Sequence, residues 1–246
     1  MVRSGFAVLF AVALSGGLRA EAPLSAAQLA ERLAAAVEDG DATARARFKT
    51  GSGEVLQVQI KSRRGPGRTA VAYEVLWPAE RKGETIILRR SGGGAPEGWI
   101  KSPSCEPKRL APAQLTDGIF GSELAVRDVI ENFFRWGNQA LAGQERIGNA
   151  DCVILESRPA GKDATSYGKV RSWIDPRRMV AMRVEKYDRS GRLVRRIETT
   201  QVAKDDQGRH VPAGMEVTQT GRPGATEISG SNIRHDVQHE EAVFTP

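Results

Sequence analysis

From position 42 to position 237 the chain repeats one pattern: short runs in which apolar or small residues alternate with polar ones, closed by turn residues at about 8–12-residue intervals. Period-two alternation sets one face of a run against a core and the other in water, the signature of antiparallel strands. Val55-Leu-Gln-Val-Gln-Ile60 shows it, and so do residues 69–77, 179–187, 193–202 and 210–219. Gly51-Ser52-Gly53, Gly148-Asn149-Ala150-Asp151, Asp188-Arg189-Ser190-Gly191 and Gly221-Arg222-Pro223-Gly224 supply turns, and Arg63 to Gly67 breaks the pattern once more. About ten strands follow, with no low-complexity linker between them, so residues 21–246 read as one mainly β domain.

Two segments depart from period two. In residues 23–39, Ser25 and Gln28 form a capping-box pair, Leu29, Leu33 and Val37 recur every four residues, and Gly40 is a stop. This predicts an amphipathic helix that must lie on something. In residues 116–136, Val126, Val129, Ile130, Phe133 and Phe134 fall at i, i+3, i+4, i+7 and i+8, which predicts a second helix over 122–136, capped by Ser122.

The N-terminus sets the compartment. Arg3, then the apolar residues 6–14, then Gly16, Gly17 and Ala20 have the form of a secretory signal peptide over 1–20. The apolar run is shorter than the ~20 residues a membrane span needs. A soluble protein exported to the periplasm is expected, and nucleic acid is excluded as a partner by location despite a net charge of +6. In an oxidising compartment Cys105 and Cys152 read as a disulfide worth ~4 kcal/mol in the chain-entropy model, against the alternative of two free buried thiols.

Chemistry is thin. There is no nucleophile elbow, phosphate loop or zinc helix. His235 and His239, on a strand, would stand ~13 Å apart, too far to share a metal. Glu123, Asp128 and Glu131 suit the solvated face and acidic start of the second helix better than a general acid/base pair. No enzyme, metal or cofactor is expected. Among the basic runs, neighbours such as Arg63-Arg64 and Arg195-Arg196 must point to opposite faces of their strands.

The centre of the chain carries a resemblance. Gly98-Trp99-Ile100-Lys101-Ser102-Pro103, Lys108-Arg109-Leu110, Asp117-Gly118-Ile119-Phe120-Gly121-Ser122-Glu123 and Asp128-Val129 are followed by Trp173-Ile-Asp-Pro176, Val184-Glu-Lys-Tyr-Asp188, Val211-Pro212 and Val243-Phe244-Thr245. Their order resembles the outer membrane lipoprotein-sorting proteins, the LolA-like family, over roughly residues 40–246. The sequence departs from that family's pattern at Leu124-Ala125-Val126 and in having Phe120 directly before Gly121. The resemblance implies an incomplete, strongly curved antiparallel β-barrel with helices covering its concave face. It also implies an apolar cavity for acyl chains of a lipoprotein or lipid. The expected lining is Ile119, Phe120, Val126, Val129, Ile130, Phe133 and Phe134 on a helical lid, with Trp99 and strand aliphatics opposite. A monomeric carrier, with an inner-membrane export complex as donor and an outer-membrane acceptor, is the implied setting. A non-transporting sensor of the same fold is the alternative, and sequence alone does not separate a filled interior from an open one.

Overall fold

The computed structural model describes residues 24–246 apart from 93, 162 and 164; the expected leader, residues 1–20, lies outside them. One helix, α1 (Ala26–Val37), precedes six strands: β1 (Gly40–Lys49), β2 (Val55–Gly65), β3 (Arg68–Trp77), β4 (Thr85–Ser91), β5 (Glu97–Ser102) and β6 (Cys105–Arg109). Seven more follow: β7 (Asn138–Ile147), β8 (Ala150–Arg158), β9 (Tyr167–Asp175), β10 (Val180–Asp188), β11 (Leu193–Lys204), β12 (His210–Gln219) and β13 (Thr226–His235). All form one sheet in the order β6-β5-β4-β3-β2-β1-β13-β12-β11-β10-β9-β8-β7, every pairing antiparallel.

Each half is a meander of sequential neighbours, and among the described residues the only non-sequential pairing is β1 on β13 in the middle. The sheet therefore keeps two free edges, β6 and β7. The chain between them, residues 110–136, has to pass from one edge to the other. It does so across the inner face, and we refer to it as the strap. The sheet curls around it: Ile86 and Leu88 of β4 and Val217 of β12, five strands away, share one apolar cluster with Leu115, Ile119, Phe120, Leu124, Val126 and Ile130 of the strap.

Alternation assigns the faces. Leu56 and Val58 of β2, Val71, Tyr73 and Val75 of β3, and Phe48 of β1 point inward and are buried. Ala72 and Ile87 point outward, where Phe244 of the C-terminal turn covers them. The expected break at 63–67 shrinks to a tight Pro66-Gly67 turn between β2 and β3, with Gly67 at φ 68°.

The first helix forms as the sequence predicts. The Ser25 hydroxyl accepts from the Gln28 amide and the Gln28 side chain accepts from Ser25 N–H, closing the capping box. Its apolar stripe, Leu29, Ala30, Leu33 and Ala34, lies on Leu155, Ile174 and Phe134.

The second helix does not form. The strap has only short 3₁₀ turns, at Pro112–Thr116, Ile119–Gly121, Val126–Val129 and Phe133–Arg135. Phe120 and Gly121 at φ 52° and 86° interrupt any helix there. Ser122 is fully buried with its hydroxyl against the Leu124 carbonyl, so it is not an N-cap. A straight helix would turn only its apolar stripe inward and leave Arg127, Asp128 and Glu131 in water. Here Arg127, Glu131 and the Asp128 side chain are buried too, and only a succession of turns sends both sets inward.

The disulfide is absent as well. Cys105 and Cys152 are free thiols. Cys105 is exposed on edge strand β6, whereas Cys152 is buried on β8 beside Ala150 and Trp173, in the other half of the sheet.

Because α1 is held mainly by one apolar stripe, Leu33→Ala should cost about 2–4 kcal/mol in urea unfolding. A loss below about 1 kcal/mol would show that the helix is not docked on the sheet.

Candidate functional site

The inner face combines two apolar regions with a charged centre. One region is the cluster of β1–β4, β12 and β13 with the strap; the other is α1, Phe133 and Phe134 over β8 and β9. Between them the strap carries Asp128 inward to two cations supplied by adjacent strands. Lys186 of β10 and Arg195 of β11 are register partners and share the inward phase of their strands.

Asp128 is the centre of this group. Lys186 Nζ lies 2.6 Å from its Oδ1, and Arg195 Nη1 lies 3.0 Å from its Oδ2. The Tyr167 hydroxyl donates to Oδ1 at 2.7 Å and the Ala125 N–H to Oδ2 at 3.1 Å. The Asp128 side chain has no exposed surface, and those of Lys186 and Arg195 have 2% and 5%. Burial alone would raise the Asp128 carboxyl, but the two cations and the hydrogen bonds from Lys186 and Tyr167 override it and hold it below the usual carboxylate range. Burial, and next the Asp128 charge, push the Tyr167 hydroxyl upward, so it stays a donor. Lys186 also stands over the rings of Phe133 and Tyr167, 5.4 and 5.2 Å from their centroids.

Two further anchors hold the strap. Glu123, only 2% exposed, accepts from the Gly51 N–H at 3.2 Å and from the Thr226 hydroxyl, with Arg222 at 3.6 Å. Arg195 Nε donates to the Glu123 carbonyl at 2.5 Å, and Arg64 donates to the Val129 carbonyl at 3.0 Å. Burial lowers the Arg64 guanidinium from its ordinary value. Between these anchors the strap folds back on itself: Gly118 bridges Ala125, and a Cβ on Gly118 would overlap the Ser122 carbonyl.

Glu131 is the contrary case. It is buried, and burial raises its carboxyl despite the nearby Lys186 and Arg127 charges and the Thr165 hydroxyl.

The predicted lining residues divide. Ile119, Phe120, Val126, Val129 and Ile130 sit in or against the larger apolar cluster, and Phe133 and Phe134 in the one under α1. Trp99 does not face them: it points outward beside Ile87 and Phe244. Glu123 and Glu131, expected on a solvated face, are buried instead, and so is the side chain of Asp128. Lys186 and Tyr167 escaped the sequence reading, which required one of Arg195 and Arg196 to face inward without saying which. The signal was two cations on the inward phase of neighbouring strands, alongside Val184 and Ile197, which requires a buried anion.

Asp205, Asp206 and His235 are close enough together to hold a cation. Asp205, however, already accepts from the Gln207 and Arg209 N–H groups and from the Arg209 guanidinium, so the cluster reads as a turn lock. No helix among the described residues is long and apolar enough to cross a membrane.

An open antiparallel sheet curled over a strap and one helix, with an apolar interior, is a LolA-like fold. A family model described as an uncharacterized protein matches residues 67–246, and the chain belongs to that family. No curated protein matches it. Among solved structures it is similar to a DUF1329 family protein from Desulfovibrio piger, with 22% identity, TM-score 0.79, and 89% of this chain and 95% of that one covered. An outer membrane lipoprotein-sorting protein domain from Vibrio parahaemolyticus has 21% identity and TM-score 0.76, with 89% and 96% covered. A LolA superfamily protein from Nitrosomonas europaea has 20% and 0.67, with 91% and 99% covered.

Asp128→Ala leaves Lys186 and Arg195 buried without an anion and should cost about 3–5 kcal/mol in chemical denaturation. The pH responses of the two carboxyls have opposite signs. Asp128, lowered on folding, contributes stability above its ordinary 3.8 that is lost as pH falls through its folded value. Glu131, raised on folding, contributes stability below its ordinary 4.5 that is lost as pH rises through its folded value. Glu131→Gln should therefore melt higher than the parent protein at pH 7 and match it near pH 4; equal melting at both would show that the buried charge has no cost.

Proposed function

We propose that this protein is a non-enzymatic periplasmic carrier that shields the acyl chains of a lipoprotein or lipid, with the strap as the movable element. The observation that carries the reading is the construction of the inner face. A curled apolar sheet is closed by a segment without regular secondary structure, attached by a few polar anchors. The names borne by the similar Vibrio parahaemolyticus and Nitrosomonas europaea proteins support it.

The energetics suit exchange. Burying the strap's apolar side chains is worth about 1.5–3 kcal/mol each, and an acyl chain gains ~0.8 kcal/mol per buried CH₂. Six side chains and some fourteen methylenes are thus of the same order, near 10 kcal/mol. A chain that takes the strap's place on the sheet replaces what the strap gives up. Opening also returns Asp128, Lys186 and Arg195 to water, offsetting the lost ion pairs with recovered hydration. Loading and release then need no chemical step.

One observation favours the alternative of a non-transporting binding module of the same fold: Ile119, Val126 and Ile130 are almost wholly buried and fill the interior. Native mass spectrometry of the mature protein, purified without detergent and followed by organic extraction, separates the two. A carrier returns a bound acyl species or takes up added lipid. A clean apo mass with no uptake overturns carriage and leaves the binding module. Phe133, half-buried between Phe134, Trp136 and Lys186, is the position to test. Phe133→Asp should abolish lipid occupancy with the far-ultraviolet β signal unchanged; full occupancy, or global unfolding, would remove the strap from the mechanism.

A further inference from the structure

The two cations of the charge centre belong to the sheet, whereas the anion between them belongs to the strap. Lys186 of β10 and Arg195 of β11 stand directly opposite each other. Each grips a different oxygen of the Asp128 carboxylate, at 2.6 and 3.0 Å. Tyr167 of β9 is a third sheet donor to that carboxylate, at 2.7 Å, and its hydroxyl oxygen accepts from Arg195 Nη1 at 3.0 Å. That second bond turns the tyrosine proton toward the anion. From β12, the Gln219 side chain accepts from Arg195 Nη2 at 3.1 Å and holds the guanidinium in place. The sheet by itself therefore carries an assembled cradle for one oxyanion.

No carboxylate of the sheet pairs with either cation among the described residues. Glu131 also lies within charge range of Lys186, and Arg127 within range of Glu131, but both are strap residues. Lifting the strap thus removes both carboxylates and leaves the sheet's two cations without an anion. Apolar strand residues flank them: Ile197 and Val217 belong to the larger cluster, Val170 and Val184 to that of Trp136. A charged head in the cradle would set its chains directly on these residues.

We propose that Lys186, Arg195 and Tyr167 form a headgroup site, that the cargo is an amphiphile with a carboxylate or phosphodiester head, and that Asp128 fills the site only until such a head replaces it. The inference rests on the carrier reading, whose movable strap it uses. An uncharged cargo leaves both cations to find water at the border of an apolar interior, whereas an anionic one restores their pairing. Ammonium and guanidinium groups bind carboxylate and phosphate oxygens through the same charge-assisted bonds that they make to Asp128. The aspartate is then a competitor within the chain: it satisfies the cations of the empty protein and yields to a ligand of its own charge class.

Calorimetric titration of the mature protein tests this with decanoate and dioctanoyl phosphatidylglycerol, each against an uncharged counterpart, decanol and dioctanoylglycerol. Acetate and inorganic phosphate serve as anions without chains. Each charged amphiphile should bind about tenfold more tightly than its counterpart, and Asp128→Asn, which removes the competitor, should widen that ratio by about a further tenfold. Asp128→Asn/Lys186→Gln/Arg195→Gln should bring the ratio to unity while still binding the uncharged amphiphiles. This triple variant removes the anion and both cations together, so it decides the matter if the single variant does not fold. The parent protein offers a readout without substitution: the carboxyl of bound, carbon-labelled decanoate should titrate about one pH unit or more below that of free decanoate by NMR. Arg45→Gln/Arg47→Gln, exposed on the outer phase of β1, should leave the ratio intact; its loss there means diffuse charge attraction and overturns the site. Equal binding of charged and uncharged amphiphiles, or a preference that survives in the triple variant, overturns the headgroup site and leaves acyl carriage standing. Acetate or phosphate bound by Asp128→Asn but not by the triple variant, with no amphiphile bound, upholds the anion cradle, assigns it to a free anion and overturns the carrier reading. No uptake of any probe overturns both.

Discussion

The contact between Asp128 and the Lys186–Arg195 pair is the interaction on which the inner face depends. Two cations on neighbouring strands, turned away from water, repel each other and have lost their hydration. A sheet with that arrangement cannot stand alone; it needs an anion delivered from another segment. The strap delivers it, and in doing so lays Ile119, Val126 and Ile130 on the apolar strands beside it. The charge centre fixes where the strap lies, and the apolar clusters on either side supply most of the adhesion. Specificity and adhesion come from different residues of one segment.

The same division explains why the segment is not a helix. Its apolar spacing is helical, but its charged residues are needed on the same side as its apolar ones. A regular helix separates the two classes by face, and this chain has to bring them together. The 3₁₀ turns, the left-handed Phe120 and the close Gly118–Ser122 approach are the backbone's answer.

Much of the fold was legible because strands and turns are written locally. Alternation in residues 55–60 and 193–202 marked both strand and face, and the Ser25–Gln28 pair marked the start of α1 to the residue. What could not be read locally was pairing between distant groups. Nothing beside Asp128 in the sequence announces Lys186, and nothing beside Cys105 announces that Cys152 lies in the other half of the sheet. Trp99 was misplaced for a related reason: its neighbours in the chain do not state which face of β5 is covered, and Phe244, which covers it, is at the far end of the sequence. Of the five strap positions with helical spacing, Val126, Ile130 and Phe134 are buried and Val129 and Phe133 partly so, because burial follows from hydrophobicity under either backbone geometry.

The central β1–β13 pairing has a consequence for the order of assembly. The two strands that meet there are almost two hundred residues apart, at opposite ends of the sheet-forming chain. The first meander can zip as it emerges, but β1 keeps an open edge until the last strand has been made. Closing so long a loop is entropically late and slow. During that interval the growing protein presents a six-strand half-sheet whose β1 edge is unpaired, a surface that invites a chaperone or a neighbouring chain until the C-terminal strand arrives to cover it.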